Sequence, residues 1–289
     1  MQRRTFLTSS LAAAALSAAS GSESVAKSTR RLYSTAKANP AASADSQSGS
    51  SATAGKRLYY ELRRYQLTSG PQKKICDAFF QNALIPAANR AGITPVGVFN
   101  LTIGPETPVI YVLLPSASLD TLVNLEAHFA GDAQYMSAGT PFLSAPAAAP
   151  AYQRIESQLM IAFEKIPGIT LPAATATNAA RVFELRTYES PSDLDHKRKV
   201  EMMQSGEEKI FDKAGFTQVF YGDTLIGPRI PNLTYLLSFE SLATRDQHWT
   251  AFATSPEWKA MQANPRYAFD EIVSNITNLI LTPAPYSQI

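Results

Sequence analysis

An internal repeat constrains the fold of this chain more than any other feature of its sequence. Residues 60–65 (YELRRY) recur 123 positions later as residues 183–188 (FELRTY). Matches at the same separation continue along both halves: Gly92 with Gly215, Gly104-Pro105 with Gly227-Pro228, Ser118-Leu119 with Ser241-Leu242, Phe129 with Phe252, and Tyr135 with Trp258. Matching Tyr111 to Tyr235 requires a one-residue slip. A fixed separation is typical of tandem structural units, so the sequence predicts two copies of one unit.

Each copy shows the same succession of hydrophobic patterns. In the first copy we predict strand 57–66, helix 71–91, strands 94–103 and 109–115, a helical region 118–138 and strand 152–164. In the second copy we predict strand 181–189, helix 192–214, strands 216–224 and 233–239, a helical region 241–262 and strand 269–282. Gly92 and Gly215 stand where a glycine commonly ends a helix in the left-handed conformation. The order strand, helix, strand, strand, helix, strand is that of a ferredoxin-like unit.

The predicted fold class is α+β, with two tandem ferredoxin-like units at 57–165 and 180–289 joined by a linker at 166–179. A ferredoxin-like unit covers one face of its sheet with helices and leaves the other face bare. Two units cover each other's bare faces when their sheets close into a barrel, which also protects the strand edges. The duplication therefore predicts an α/β barrel built as a pseudo-dimer within one chain.

The N-terminal segment has the pattern of a targeting signal. Arg3-Arg4 precedes a modestly apolar, alanine-rich stretch, a combination that resembles a twin-arginine export signal. We therefore predict an export signal at 1–19, a periplasmic or secreted location, and no stable membrane span after signal removal, because the apolar run is short. The alternative is a mitochondrial presequence, since residues 1–37 contain a single acid, Glu23.

Charge is distributed unevenly along the chain. The formal net charge is +2, but the basic surplus lies in residues 1–56, and the remainder carries more acidic than basic residues. Residues 20–56 are rich in Ser, Ala and Gly without apolar periodicity, a composition that predicts disorder. The remainder has no Lys/Arg-rich run, so we expect no nucleic-acid partner. Its densest basic cluster, 197–199, is predicted to lie on a solvated helix face.

Residues that carry metal and cofactor chemistry are sparse. The single cysteine, Cys76, excludes a disulfide within the chain and a cysteine-based metal site, and its apolar surroundings predict a buried thiol. The three histidines, His128, His196 and His248, show no spacing typical of a metal site. Neither a serine nucleophile elbow nor a phosphate-binding glycine loop occurs. We therefore predict no metal and no cofactor, and leave open whether the protein is an enzyme.

The repeated Glu-Leu-Arg-x-Tyr strand resembles the NIPSNAP family of the dimeric α/β-barrel superfamily. Residues 245–252 (RDQHWTAF) and 255–258 (SPEW) do so too, and the resemblance covers about 57–289. The first copy departs from the pattern, because its second helical region has no tryptophan and Tyr135 replaces Trp258. The resemblance implies a barrel of two ferredoxin-like units and further association into a homo-oligomer. It implies little about chemistry, because the superfamily includes cofactor-free monooxygenases, haem-handling enzymes and isomerases.

Alternation along the first strand of the second copy separates the polar Glu184, Arg186 and Tyr188 from the apolar Phe183 and Leu185. We expect the apolar face to pack on the helices and the polar face to turn toward the partner sheet. One hypothesis is a Glu–Arg network that fixes the sheet pairing, since buried charges must pair. The other is the polar end of a ligand cavity, in which the guanidinium holds an anionic or carbonyl group.

Four aromatic residues complete the candidate ligand site: Tyr221, His248, Trp249 and Trp258. The tryptophans accompany Phe252 on or beside one helix, a pattern typical of a core and also of an aromatic-walled pocket. The leading hypothesis is a protein that binds a small apolar or planar molecule in its barrel. One alternative is a cofactor-independent monooxygenase- or isomerase-like enzyme, in which the arginine polarises a carbonyl and a tyrosine or histidine moves a proton. The other alternative is a protein-recruiting module.

Overall fold

The fold is taken from a computed structural model, which describes residues 56–68 and 70–289. The predicted export signal at 1–19 lies outside the described residues. The predicted disordered segment at 20–56 also lies outside them, except for Lys56.

Eight antiparallel strands of the described residues close a barrel in the order β1-β3-β2-β8-β5-β7-β6-β4. The strands are β1 (Tyr59–Gln66), β2 (Gly97–Ile103), β3 (Val109–Ser116), β4 (Arg154–Ala162), β5 (Val182–Glu189), β6 (Thr217–Ile226), β7 (Asn232–Phe239) and β8 (Asn275–Pro283). The pairs β2–β8 and β4–β6 join the two copies. Because the sheets of both copies are continuous through these pairs, the predicted pseudo-dimeric barrel is confirmed.

Helices cover the outside of the barrel. They are α1 (Pro71–Phe79), α2 (Ile85–Arg90), α3 (Leu119–Val123), α4 (Leu125–Ala130), α5 (Ala133–Leu143), α6 (Ala173–Ala176), α7 (Asp193–Met202), α8 (Glu208–Lys213), α9 (Leu242–Thr254), α10 (Pro256–Gln262) and α11 (Phe269–Ile272). A π-helical turn joins α1 to α2 at Phe80–Leu84, and another joins α7 to α8 at Met203–Glu207. The 3₁₀ turn Pro265–Tyr267 follows α10. None of these helices has the length and apolar character needed to cross a bilayer.

The repeat holds residue by residue in the structure. Strands β1 and β5, strands β3 and β7, and the two π-helical turns each begin and end 123 positions apart. On this register, Arg63 lies opposite Val112 and Arg186 lies opposite Tyr235. The matching of Tyr111 to Tyr235 with a one-residue slip was therefore wrong, because Tyr111 packs with the barrel interior and Tyr235 packs with the helices.

The structure confirms two predicted helix ends and corrects one predicted strand boundary. Gly92 has φ 79° and Gly215 has φ 90°, so the left-handed helix ends predicted for both copies are confirmed. The last strand of the second copy was predicted too long. Residues 269–272 form α11 instead, and β8 begins at Asn275.

Apolar side chains from all eight strands fill the barrel interior. They include Tyr60, Leu62, Phe99, Leu101, Leu113, Met160, Phe183, Leu185, Phe220, Leu236, Leu279 and Leu281. Ile169 of the linker and Ile289 pack against the same cluster. Two further apolar clusters lie between the sheet and the helices, one in each copy. Burying a large apolar side chain contributes about 1.5–3 kcal/mol, so these three clusters account for much of the driving force for folding.

The expected orientation of the first strand in the second copy was wrong. Phe183 and Leu185 belong to the barrel interior, whereas Tyr188 packs with the helices and Glu184 bonds to side chains of α9. The physical reason is that the closed barrel has a narrow interior. Large apolar side chains fill this interior because they need no hydrogen-bonding partners. The helices, in contrast, carry long polar side chains that satisfy a buried carboxylate.

Candidate functional site

The two motif segments of the second copy meet between β5 and α9. Arg245 donates to Glu184 twice, from Nε to Oε2 and from Nη2 to Oε1, each at 2.8 Å. Trp249 Nε1 donates to Glu184 Oε2 at 2.7 Å, and Arg186 Nη1 donates to Glu184 Oε1 at 2.8 Å. We call Glu184, Arg186, Tyr188, Arg245 and Trp249 the signature cluster. Its geometry fastens the helix to the sheet through one carboxylate.

The Glu184 carboxylate is fully buried and ionised. Burial by itself raises the pKa of a carboxyl group, but the hydrogen bonds from Arg245, the charge of Arg186 and the bond from Trp249 hold the pKa of Glu184 below its ordinary value. Two guanidinium groups therefore share one carboxylate. Charge-assisted bonds of this kind are among the strongest in proteins, and all of them here lie largely out of water.

Arg186 lies at the centre of the signature cluster. Its Nη2 donates to the Tyr188 hydroxyl at 3.0 Å, and its guanidinium carbon lies 4.3 Å from the centre of a Trp249 ring. The Tyr235 hydroxyl donates to the Tyr188 hydroxyl at 2.9 Å. Burial lowers the pKa of Arg186, yet Tyr235, Tyr188 and Glu184 together raise it above its ordinary value. Among the described residues, Arg186 Nε has no hydrogen-bond partner.

A second buried ion pair lies beneath Tyr188. Lys199 Nζ donates to Glu207 Oε2 at 2.7 Å and lies 5.1 Å from the centre of the Tyr188 ring. Lys199 is fully buried, so its predicted place on a solvated helix face was wrong. A signal was available in the sequence, because Lys199 precedes the apolar Met203 by four positions and side chains with that spacing share one helix face.

The remaining candidate residues divide into two groups. The Tyr221 hydroxyl donates to Gln218 Oε1 at 2.5 Å, and its ring stacks on Tyr235 at 5.1 Å, so Tyr221 adjoins the signature cluster. Trp258 packs on Phe252 at 4.5 Å and belongs to the core. The structure thus brings Glu184, Arg186, Tyr188 and Trp249 together, with Tyr221 at their edge.

Two of the histidines contact neighbouring side chains of the fold. His248 lies between Phe216 and Phe239 and covers Gly215, where an added Cβ would come within 3.0 Å of His248 Nε2. His196 Nε2 lies 2.7 Å from Asp223 Oδ1. Across residues 56–68 and 70–289, no three His, Cys, Asp or Glu side chains are grouped so that they could hold a metal ion.

The first copy has a reduced version of the signature cluster. Arg63 donates from Nε and Nη2 to Glu61 at 2.8 and 3.0 Å, and the Ser157 hydroxyl donates to Glu61 at 2.8 Å. Arg63 Nη1 also pairs with Glu126 at 3.0 Å. Glu126 stands at the repeat position of Trp249. Leu122 takes the repeat position of Arg245. The strand residues are shared by both copies, and the helix residues are not.

A groove on the second copy is large enough for a ligand. It lies between α8, with the π-helical turn before it, and α10, with the 3₁₀ turn after it. Its volume is about 410 Å³, within the range of roughly 300–1,000 Å³ common for ligand sites. The lining residues are Ser205, Gly206, Lys209, Ile210, Lys213, Glu257, Ala260, Met261, Asn264 and Tyr267. We call it the helical groove.

The corresponding helix and turn pack directly against each other in the first copy. There α5 runs on to Leu143 and packs against the π-helical turn that precedes α2. Phe142 stacks on Phe79 at 3.9 Å and also contacts Phe80 and Tyr65. In the second copy α10 ends at Gln262, and the repeat position of Phe142 is a proline. The helical groove therefore lies where the first copy packs the corresponding helix directly against its π-helical turn.

A smaller recess lies at the end of the barrel where the β2–β3 and β6–β7 hairpins turn. Its volume is about 80 Å³, and Leu62, Arg64, Tyr111, Gln158, Leu185 and Thr187 are among its lining residues. Arg64 pairs there with Glu106 and Glu156. This recess is far smaller than a typical ligand site, so it offers less room than was expected for a ligand inside the barrel.

Two ferredoxin-like halves that close one barrel within a single chain define a pseudo-dimeric α/β-barrel protein. The NIPSNAP family model matches residues 60–164 and 183–288, and the chain therefore belongs to the NIPSNAP family, with two copies of its domain. No curated protein sequence matches the chain.

Solved structures similar to this chain come from several bacteria. A provisionally assigned monooxygenase from Fusobacterium nucleatum is 7% identical, with a TM-score of 0.54, over 78% of this chain and 92% of that one. Another provisionally assigned monooxygenase, from Lactobacillus acidophilus, is 9% identical, with a TM-score of 0.51, over 78% and 94%. A NIPSNAP protein of unknown function from Agrobacterium tumefaciens is 20% identical, with a TM-score of 0.32, over 36% and 88%. At these identities the two larger matches support the barrel fold alone.

Proposed function

We propose that this NIPSNAP protein binds a small molecule with an apolar or planar body in the helical groove of its second copy. The observation that carries the proposal is the difference between the copies at one place. In the first copy α5 packs against the π-helical turn, and in the second copy a groove of about 410 Å³ lies between the corresponding elements. A cavity that a duplicated chain closes in one copy and keeps open in the other is a reasonable place for a ligand.

The lining of the helical groove suits such a molecule. Ile210, Ala260 and Met261 supply apolar surface, and Tyr267 adds an aromatic ring whose hydroxyl donates to Glu201 at 2.8 Å. Gly206, with φ 139°, brings bare backbone to the groove at the π-helical turn. Turns of this kind occur frequently at functional sites.

The signature cluster has a structural role in this proposal. Glu184 accepts bonds from three side chains and keeps no exposed surface, and neither the helical groove nor the barrel-end recess is lined by Arg186. The cluster holds α9 on the sheet and so fixes the position of α10, one wall of the groove. Arg186 and Trp249 therefore support the ligand site without touching the ligand.

Mass spectrometry of molecules retained by the purified protein tests the proposal. Protein isolated from its native compartment is expected to carry a small molecule that is absent from the Ala260→Trp variant, because an indole at this exposed position fills the groove. Ala253→Trp, at an exposed position of α9 outside the groove, is the matched control and is expected to retain the molecule. Equal retention by both variants, or a co-purifying protein without any small molecule, contradicts the proposal.

A cofactor-independent oxygenase or isomerase is the second candidate function. The observation in its favour is Arg186 Nε, a buried donor without a partner among the described residues, beside the Tyr188 hydroxyl. Such a donor stabilises a developing oxyanion only where a substrate reaches it, and this candidate therefore requires the signature cluster to open, since Arg186 lines neither cavity. Oxygen uptake or isomerisation of the retained molecule, lost in an Arg186→Gln variant that still binds it, supports this candidate. Turnover that is unchanged in Arg186→Gln rules it out.

We also propose that the protein acts outside the cytoplasm. The basis is Arg3-Arg4 before the alanine-rich stretch of the leader. A reporter that is active only after export in the folded state, fused behind residues 1–56, is expected to lose activity when both arginines become lysine. Import of the same fusion into isolated mitochondria, with no export, supports the presequence alternative instead.

A further inference from the structure

We propose that the helical groove selects an anionic amphiphile, a molecule with an apolar body and one acidic group, and that Lys209 contacts the acidic group. This inference rests on the proposed function, since it names the class of ligand for the same groove.

The rim of the helical groove carries one positive charge without a counterion. Three of its lining residues are charged: Lys209, Lys213 and Glu257. Lys213 Nζ bonds to Glu257 Oε1 at 2.7 Å, so these two charges compensate each other. Within the described residues, Lys209 makes no ion pair, and it is exposed on the groove side of α8. An acidic ligand would supply the missing partner.

The other polar groups of the lining point to a ligand that accepts hydrogen bonds. Asn264 Oδ1 already accepts from the backbone N–H of Arg266 at 3.0 Å, which leaves the Asn264 amide N–H groups as donors. The Tyr267 hydroxyl is bonded to Glu201. Glu257 Oε1 accepts from Lys213. The open groups of the lining are therefore the Lys209 ammonium and the Asn264 amide as donors and the Ser205 hydroxyl, which both donates and accepts. A carboxylate or sulfonate accepts from all three, whereas the one carboxylate of the lining, Glu257, is already paired with Lys213.

Apolar surface next to these donors provides for the rest of the ligand. Ile210 is buried beneath the groove, and Met261 and Ala260 face it from α10. Methionine is unbranched and polarisable, so it adapts to ligands of different shape. An acidic group at Lys209 and an apolar body over Ile210 and Met261 would therefore satisfy both parts of the lining.

Two fluorescent dyes that differ in one acidic group test the inference. The anionic dye is 1-anilinonaphthalene-8-sulfonate, and N-phenyl-1-naphthylamine is its neutral counterpart. The sulfonate is expected to bind about threefold to fivefold more tightly, the effect of one exposed ion pair. Lys209→Gln is expected to remove this advantage and leave the affinity for the neutral dye unchanged. Added salt is expected to weaken binding of the sulfonate alone.

Matched variants separate the failure of this inference from the failure of the proposed function. Lys197→Gln removes an exposed lysine of α7 outside the groove and is expected to change neither affinity. Ala260→Trp is expected to block both dyes, and Ala253→Trp neither, with circular dichroism used to verify that each variant is folded. If Ala260→Trp blocks both dyes, Lys209→Gln can still leave the tighter binding of the sulfonate intact. That outcome rejects an anionic ligand at Lys209 and keeps the groove as the binding site. If Ala260→Trp affects neither dye, the groove itself is not the binding site.

Discussion

The two copies share one backbone plan and differ in what lies between the sheet and the helices. Both copies pack aromatic side chains there, such as Phe142 on Phe79 in the first copy and Phe252 on Phe211 in the second. The second copy adds two arginines, a lysine and two glutamates, nearly all of them buried. Both copies have the same helices and π-helical turns, although only the second has these buried charges. The fold itself therefore does not require them.

The buried ion pair of the second copy shows this difference most clearly. Lys199 and Glu207 occupy the repeat positions of Cys76 and Leu84, and all four side chains are buried. Burial raises the pKa of the Cys76 thiol to about 12, so this residue is uncharged at neutral pH. One copy therefore places a charged pair where the other places two small or apolar side chains.

The signature cluster differs in its ion pairs between the copies. In the second copy two arginines, Arg186 and Arg245, share the buried Glu184, and Arg245 also pairs with the exposed Asp246. In the first copy Arg63 pairs with two carboxylates, Glu61 and Glu126. The strand supplies a Glu and an Arg in both cases, and the helix supplies a further arginine only in the second copy.

Removal of Lys199 is expected to have the largest effect on stability. Lys199→Met leaves the Glu207 carboxylate buried without its ammonium partner, a change that typically costs about 3–5 kcal/mol. We expect the free energy of unfolding to fall by about 4 kcal/mol, measured by urea denaturation.

The double variant Lys199→Met/Glu207→Leu tests whether the first copy is a valid guide to the second. Replacing both members of a buried pair by apolar residues is often neutral or stabilising. Because Cys76 and Leu84 already occupy these positions in the first copy, we expect the double variant to recover to within about 1 kcal/mol of the wild type. A double variant as unstable as Lys199→Met would mean that the copies are not interchangeable at this position.

Glu184→Gln is expected to have the next largest effect, and Glu61→Gln is its matched counterpart in the first copy. Loss of the Glu184 charge leaves Arg186 without a carboxylate and Arg245 with only the exposed Asp246, and we expect a loss of about 3 kcal/mol. Glu61 is less buried, and Arg63 keeps Glu126, so Glu61→Gln is expected to cost about 1 kcal/mol. If urea denaturation shows equal losses of unfolding free energy for the two variants, the extra arginine of the second copy contributes nothing to stability.

The effect of Glu184→Gln has an expected pH dependence. Because the pKa of Glu184 is lower in the folded than in the unfolded chain, its stabilisation is complete above the unfolded pKa of about 4.3 and is lost as the pH falls through the folded pKa. The stability difference between wild type and Glu184→Gln should therefore narrow below about pH 4. A constant difference down to pH 2 would contradict the lowered pKa.

Local patterns were sufficient to predict the repeat, the order of the elements and the helix ends at Gly92 and Gly215. They were not sufficient to assign the faces of β5, because a closed barrel covered by helices buries both faces of its strands. Phe183 and Tyr188 are both buried, one inside the barrel and one beneath the helices. Hydrophobicity alone cannot distinguish these two environments.

The buried pair and the helical groove depend on features that periodicity does not contain. Residues eight apart, such as Lys199 and Glu207, lie about 80° apart around a regular α-helix. The π-helical turn between them changes this angle and lets the side chains meet. The groove arises from a contact that one copy makes and the other lacks.

Trp249→Phe is expected to have the smallest effect of the three stability tests, and it isolates the helix contribution to the signature cluster. Phenylalanine keeps a ring over Arg186 but removes the N–H that donates to Glu184 at 2.7 Å, while Arg245 still satisfies the carboxylate. We expect a loss of about 1 kcal/mol in urea denaturation. The counterpart Glu126→Ala removes a carboxylate that is 69% exposed, and we expect less than about 0.5 kcal/mol. If Glu126→Ala loses more unfolding free energy than Trp249→Phe, the first copy depends more on its helix contact than the second copy does.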